Sequence, residues 1–405
     1  MGASPRDTFR CPTAVPLCSS RRVPLVTTLL DLPSPRTEGW RWSDLSALQG
    51  FAASAGNTKH RELRELHWLG AEPEGPRLLF VDGILDRDRS RLGPVGLAHL
   101  DLSLDHPLAR HARGEGWRLR LGRDHVPPGL IQIVHVTTGA ADHLPAQVEL
   151  DVGAQASIVE TYIGHGWTNR LSHFRLFKGA RLMLSRRLLG DSGPSTPPAA
   201  SLSTGFVSLT DKVEVGEGAS FVATTLAAGG TDTRLDGDIR MAGAGAYAEA
   251  GGALLARGTQ RHDANLVIHH AMPNGTSRQV WRSVADDRAI CSVAARVEVA
   301  RGAQKTDGEQ SLKGIMLSRT ATINAKPELE IFADDVKCAH GATVGELDRN
   351  ALFYLASRGV PEGEAKGLLT RAFVADALER VGEEAVREAF YADVDAWFAG
   401  EGGAR

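Results

Sequence analysis

The central part of the chain alternates apolar and polar positions in short runs that suit β-strands. In QVELDVGAQASIVETYIG, the side chains of Val148, Leu150 and Val152 share one face, and Ile158 and Glu160 follow after a Gly-Ala step. KVEVGEGASFVATTL repeats this arrangement further along the chain. A period of two residues is that of a strand, and helix signals are nearly absent here. We therefore predict a series of short strands.

Gly-Ala steps recur along this part of the chain and indicate how the strands are connected. They occur at residues 153–154, 179–180, 218–219, 245–246, 302–303 and 341–342. Most intervals lie near multiples of about 13 residues, which is enough for one short strand and a tight turn. Glycine accepts a sharp bend or a positive φ, and alanine fits inside a corner. The pattern predicts a β-solenoid over residues 131–346. An ordinary antiparallel sandwich is the alternative, because one interval of 57 residues fits loosely.

The region before the solenoid is less regular. Residues 1–130 are predicted to form a small mixed domain with a short helix in Glu38–Ala52, a strand and Asp-Gly turn in Pro76–Leu85, and a helix-like patch in Leu97–Arg113. The proline-rich start, residues 1–25, is predicted to be a flexible tail, because its prolines oppose an amphipathic helix.

Residues 347–405 are predicted to form a helical domain. Asp348 can cap a first helix that stops at Gly359, Pro361 suits the first turn of a second, and Gly382 precedes a third. Spacings of three and four place apolar residues on one stripe of each of the last two helices: Ala365, Leu368, Leu369, Ala372 and Phe373, then Val386, Ala389, Phe390, Val394, Trp397 and Phe398. These stripes must be buried against the end of the solenoid, against each other or against a partner.

Composition narrows the class of protein. The net charge of −3 over 405 residues gives no field that would recruit nucleic acid or an anionic membrane. Four cysteines do not make a disulfide scaffold, and their low number suits a reducing cytosol, so we predict a cytoplasmic protein. No apolar run approaches the roughly 20 residues of a membrane span.

Common catalytic motifs are missing from the sequence. There is no Gly-x-x-x-x-Gly-Lys-Ser/Thr loop, so the chain is not expected to bind ATP in the P-loop manner. His-Glu-x-x-His, Cys-x-x-Cys and Gly-x-Ser-x-Gly are also absent. His269 and His270 are adjacent, so on a strand one should face solvent and the other should be packed.

Cys338 and His340, in FADDVKCAHGATVGELD, are the strongest candidates for chemistry. On a strand, residues i and i+2 share a face with their Cβ atoms about 7 Å apart, and both residue types suit iron, zinc or copper. Two ligands make an incomplete site, which a second chain would have to complete. From the residues alone, a buried structural cysteine beside a hydrogen-bonded histidine is the alternative.

The same stretch carries a family resemblance. KPELEIFADDVKCAHGATVGELDRNALFYLASRGVP closely resembles the most characteristic segment of the SufB/SufD family, the scaffold subunits of the Suf iron–sulfur cluster assembly machinery. HHAMPNGTSRQVWRSV, ARGAQKTDGEQSLKGIMLS and EGWRWSDL resemble further family segments. The resemblance implies a mainly β fold: a right-handed parallel β-helix with a small mixed N-terminal domain and a C-terminal helical domain.

The resemblance is closer to SufD than to SufB. SufB-like chains have a cysteine in the strand before the shared motif, whereas MLSRTATINAKPELEI has none. The resemblance implies a non-catalytic subunit that pairs with a SufB-like chain through the β-helix, with a homodimer possible when it is alone. It also implies that the C-terminal helices dock a SufC-like ABC ATPase. His340 then matches the histidine implicated in building a transient iron–sulfur cluster at the SufB–SufD interface, and Cys338 holds the neighbouring position.

Two kinds of enzyme are the rivals to this interpretation. A left-handed β-helix acyltransferase would show a sustained six-residue repeat, but the units here are near 13 residues. A carbohydrate-active β-helix needs clustered carboxylates on one face. Asp334 and Asp335 are adjacent and would point opposite ways on a regular strand.

Overall fold

A computed structural model describes residues 30–54, 68–70, 75–102, 104–190, 205–229 and 231–399. The predicted flexible start, residues 1–25, lies outside the described residues. Apart from Leu30, the described residues belong to one compact unit, Asp31–Arg405.

The described residues contain seventeen strands. They are β1 (Arg77–Val81), β2 (Ile84–Leu85), β3 (Val95–Leu100), β4 (Gly114–Leu121), β5 (Ile131–Leu150), β6 (Gln155–Leu176), β7 (Arg181–Gly190), β8 (Gly205–Val215), β9 (Ser220–Ala227), β10 (Asp232–Met241), β11 (Tyr247–Ala256), β12 (Arg261–His270), β13 (Thr276–Ala285), β14 (Ile290–Val299), β15 (Asp307–Met316), β16 (Thr322–Ile331) and β17 (Lys337–Glu346).

These strands form a parallel β-solenoid of about seven turns. One face runs through β1, the first halves of β5 and β6, then β7, β9, β11, β13, β15 and β17. The other runs through β4, the second halves of β5 and β6, then β8, β10, β12, β14 and β16. Because these neighbours are parallel, the antiparallel sandwich is excluded. The predicted fold class, a mainly β parallel solenoid followed by helices, is confirmed.

Glycines at positive φ form one stacked corner of the solenoid. Gly153, Gly179, Gly218 and Gly245 have φ values between 59° and 71°. The N–H of each donates to a carbonyl in the corner of the next turn, for example Gly245 N to Pro273 O at 3.0 Å. The alanines that follow these glycines are buried, as the sequence pattern predicted.

The later Gly-Ala steps differ from these four. At the same corner in the next two turns, Asn274 and Lys305 adopt the positive φ. Gly302 lies in this corner, but the residue with positive φ there is Lys305. Ala303, which follows Gly302, is buried like the earlier corner alanines. The last step, Gly341–Ala342, was wrongly predicted as a corner, because it lies inside β17.

Side chains that point into the solenoid form its core. Alternate residues of each strand face inward, and most are aliphatic or alanine, which leaves the two sheets close enough to pack. Buried charges are paired where they occur. Glu160 lies between Arg186, whose Nε donates to Oε2 at 2.7 Å, and His135. Burial by itself raises the pKa of Glu160, but Arg186 and His135 lower it to about 2.

The solenoid extends upstream of residue 131. β1 and β4 pair in parallel with β5, and each is covered by an antiparallel neighbour, β2 and β3 respectively. Where residues 30–130 are described, the helical elements are short: α1 (Leu48–Ala53) and single 3₁₀ turns at Glu38–Trp40 and Ala109–His111. The helix-like patch predicted at Leu97–Arg113 is therefore mostly wrong, since it contains part of β3 and only one 3₁₀ turn.

Three helices follow β17: α2 (Arg349–Ser357), α3 (Glu362–Leu378) and α4 (Glu384–Ala399). Asp348 caps α2 as predicted, with its carboxylate accepting from Asn350 N at 2.8 Å, and Gly359 ends the segment at φ 81°. The helices do not close the end of the solenoid. Instead, α3 and α4 pack on the outer side of the face that contains β7, β9, β11 and β13.

The apolar stripes of these helices were predicted with unequal success. On α4, Val386, Phe390, Val394 and Trp397 are buried as expected. On α3, Leu368 and Ala372 are exposed, and Thr370, Val374, Ala377 and Leu378 are buried with Ala365 instead. Ion pairs complete the packing: Arg187 on β7 binds both carboxylate oxygens of Asp393, at 2.6 and 2.8 Å.

Candidate site at the open end of the solenoid

The two ends of the solenoid differ in how their strands are covered. At the first turn, β1 and β4 each have an antiparallel strand along one edge. At the last turn, β16 pairs only with β14, and β17 pairs only with β15, within the described residues. The outer edges of β16 and β17 thus present backbone N–H and C=O groups that can pair with another chain. We call this edge, with the corner between the two strands, the open end.

Cys338 and His340 both lie on β17 at the open end. Cys338 is in register with Gly308 on β15, and His340 is in register with Gln310. Gln310 is buried within the solenoid, so the matching positions of β17 stand on the same, inward side. Cys338 is half-buried and packs against the solenoid core, whereas His340 is exposed. The structure therefore places both predicted residues on one face of one terminal strand.

The thiol of Cys338 is held in its protonated form by its surroundings. Burial raises its pKa, a backbone contact with Gly308 acts in the opposite direction, and the carboxylate of Asp307 raises it further. A metal ion can displace the proton when it binds, because thiolate ligation and proton release are coupled.

The donor set at the open end is incomplete. Within the described part of the chain, no group of three or more histidine, cysteine, aspartate or glutamate side chains can hold a metal ion. A protein site for iron or zinc normally has four protein ligands, or three with an open position. Cys338 and His340 can therefore hold a metal only together with ligands from elsewhere.

The rest of the open end combines exposed apolar side chains with acidic residues. Ile331, Phe332 and Val344 are exposed, with Phe332 at 58 %. Asp334 and Asp335 lie in the corner between β16 and β17, outside any strand, and Lys305 forms an ion pair with Asp335. The exposed phenylalanine is a feature that sequence reasoning missed, because a single apolar residue beside two aspartates gives no sign of whether it is buried or exposed.

The adjacent histidines are separated as predicted. His269 faces outward, where Nδ1 lies 2.7 Å from Glu298 Oε2 and Nε2 lies 3.3 Å from Asp238. His270 faces inward and lies 2.8 Å from Ser277 Oγ, and burial lowers its pKa to about 4. Their opposite directions exclude a shared metal site.

A second exposed apolar surface lies on the C-terminal helices. Helix α2 has no buried residue, and Phe353 and Tyr354 are 76 % and 57 % exposed. Leu368 on α3 is also exposed. Large exposed aromatic groups of this kind are typical of protein–protein contacts. We call Phe353, Tyr354 and Leu368 the helical apolar surface. No helix in the described residues is both long enough and apolar enough to cross a bilayer.

The fold, a parallel β-solenoid with an uncovered last turn in the described residues and helices packed on one face, can be compared with known proteins. The family model "SUF system FeS cluster assembly, SufBD core domain" matches residues 135–373. The chain belongs to this SufB/SufD family, and it is SufD-like.

Two curated relatives match most of the chain, and a third matches a shorter part of it. It is 25% identical over 390 residues to the iron–sulfur cluster assembly protein SufD of Escherichia coli, a match that covers 88% of this chain and 87% of the relative. It is 26% identical over 387 residues to a SufBD family protein of Synechocystis, with 87% and 84% covered. A chloroplastic Arabidopsis thaliana protein, ABCI7, is 35% identical over 124 residues, which is 30% of this chain and 26% of that protein. Together these matches support a role in iron–sulfur cluster assembly.

Proposed function

We propose that this chain is the SufD-like scaffold subunit of a SufBCD-type complex, where it supports de novo iron–sulfur cluster formation. A SufB-like subunit pairs with the open end, and the cluster is built at the seam between the two chains. The observation that carries the proposal is the position of Cys338 and His340 on β17, the terminal strand of the solenoid. The chain itself is a non-catalytic subunit.

The transient cluster is the cargo of this site rather than a resident cofactor. His340, which is exposed, supplies an imidazole, Cys338 can add a thiolate, and the SufB-like chain supplies the remaining thiolate and carboxylate ligands. A mixed and incomplete ligand set from each chain suits a cluster that must leave again, whereas four cysteines would retain it. The raised pKa of Cys338 fits a secondary role, since that thiol must lose its proton before it binds.

The helical apolar surface is proposed as the docking site of a SufC-like ATPase. The sequence has no P-loop, so the chain binds no ATP in that manner and the energy comes from the docked subunits. We assign seam formation to the solenoid core, residues 131–346, and docking to residues 347–405. Residues 1–130 are the N-terminal region, which contributes the first solenoid strands β1 and β4. Pairing of two open ends would give a homodimer when the chain is alone. Cytoplasmic localisation remains a prediction.

The test is to replace His340 in the assembled complex. The chain is co-expressed with SufB and SufC partners, and maturation of a cluster-dependent enzyme is measured for the wild type and for His340→Ala. We expect a large loss of maturation with complex assembly unchanged. His99→Ala is the matched control, because His99 is also exposed but lies on β3 near the covered end. Full maturation with His340→Ala would remove this residue from the mechanism.

A further inference from the structure

The side chain directly beneath His340 is a buried amide without a partner. Gln310 on β15 is 1 % exposed, and neither its Nε2 nor its Oε1 has a hydrogen-bond partner among the described residues. Leaving both atoms of an amide unpaired inside a protein is costly, so such a group calls for an explanation. The strand partner of Gln310 on its outer side is His340.

A second glutamine lies one turn further in. Gln279 on β13 is in register with Gln310, so Gln279, Gln310 and His340 form a column with backbones about 4.8 Å apart. Gln279 Nε2 donates to Arg296 O at 3.1 Å, and Gln279 Oε1 is unpaired. Stacked amides in register can form a ladder in which each N–H₂ donates to the oxygen of the next.

The fixed end of this column sets its direction. Gln279 Nε2 already has a partner in Arg296 O, whereas Gln279 Oε1 has none among the described residues, so the atom of Gln279 that still needs a partner is an acceptor. In a ladder that satisfies this acceptor, Gln310 Nε2 would donate inward to Gln279 Oε1, and Gln310 Oε1 would be left on the side of His340. The group that His340 must present to an oxygen is a ring N–H.

We propose that Gln310 is a positioning residue for His340, and that its Oε1 accepts a hydrogen bond from one ring nitrogen of the imidazole. This bond fixes the tautomer and leaves the other ring nitrogen free to face out of the open end. Metal-binding histidines in general donate their second N–H to an acceptor of this kind. The inference rests on the proposed function for the role of His340, but the hydrogen bond itself belongs to the free chain.

The bond is tested by nitrogen NMR of the full chain labelled with ¹⁵N-histidine, in mildly alkaline solution. The His340 signals are assigned by their loss in His340→Ala. We expect the wild type to show one protonated and one unprotonated ring nitrogen, and Gln310→Met to shift both signals toward the average of mixed tautomers. Leu312→Met, on the same strand and the same buried face, should leave them unchanged.

Two results would overturn the inference: mixed tautomers at His340 in the wild type, or identical His340 signals in Gln310→Met. The first does not depend on Gln310→Met, so the test stands even if that variant does not fold. In the assembled complex we expect Gln310→Met to lower cluster-dependent maturation about tenfold. If His340→Ala retains full maturation, the proposed function fails and the NMR result still decides the hydrogen bond. If His340→Ala is inactive and Gln310→Met is fully active with unchanged signals, only the role of Gln310 fails.

Discussion

At the scale of single residues, the corner glycines show how one backbone angle determines which residue the sequence needs for stability. Gly245 has φ of 66°, and a Cβ built there meets no atom within 4 Å. A replacement by alanine is therefore opposed by backbone conformation and not by a clash. We expect Gly245→Ala to lower the free energy of unfolding by about 1–2 kcal/mol. Urea denaturation of the two proteins measures the difference.

Gly302 is the matched control for this substitution. It stands in the same kind of Gly-Ala step and also has open space around its Cβ position, but its φ is outside the left-handed region. Gly302→Ala should be neutral or stabilising by up to about 1 kcal/mol, because alanine restricts the unfolded chain. If both variants lose the same free energy of unfolding, the positive φ is not the reason why this corner requires glycine.

At the scale of elements, the strands followed from the sequence more reliably than the helices. A strand buried on its inward side shows its period of two directly, as Val213 and Val215 on β8 do. The stripe predicted on α3 includes Leu368 and Ala372, which are exposed, although its first member, Ala365, is buried. Apolar residues occur on more than one side of that helix, and the pattern cannot tell which side meets the solenoid. Gln310 could not be singled out either, since its register with His340 depends on pairing between turns.

Substitutions at buried and at exposed aromatic residues of the C-terminal helices should have different effects, the first on stability and the second on docking. Phe390 on α4 is completely buried against the solenoid, so Phe390→Ala should cost about 3–5 kcal/mol of unfolding free energy. Phe353 on α2 is 76 % exposed, and Phe353→Ala should change stability by no more than about 0.5 kcal/mol. The same substitution should abolish capture of the chain by a SufC-like ATPase in a pull-down. Undiminished capture would argue against the helical apolar surface as the docking site.

At the scale of the whole molecule, the solenoid is asymmetric in a way that predicts where a partner attaches. Its first turn is covered by the antiparallel strands β2 and β3, which occupy edges that parallel stacking would leave free. Its last turn has no such cover within the described residues. A long uncovered edge is avoided in proteins that act alone, because it invites pairing with other chains. The asymmetry therefore favours attachment at β16 and β17.

Hydrogen exchange can measure this asymmetry directly. In the free chain, amides on the outer edges of β16 and β17 should exchange faster than those of β12, which has a strand on both sides. Addition of a SufB-like subunit should slow exchange in Thr322–Ile331 and Lys337–Glu346, because backbone pairing or burial at the seam protects these groups. Exchange in β1 and β4 at the covered end should not change. Protection at β1 and β4, with β16 and β17 unaffected, would show that the partner binds at the covered end of the solenoid. His340 would then lie far from the seam, and the proposed position of the cluster would be wrong.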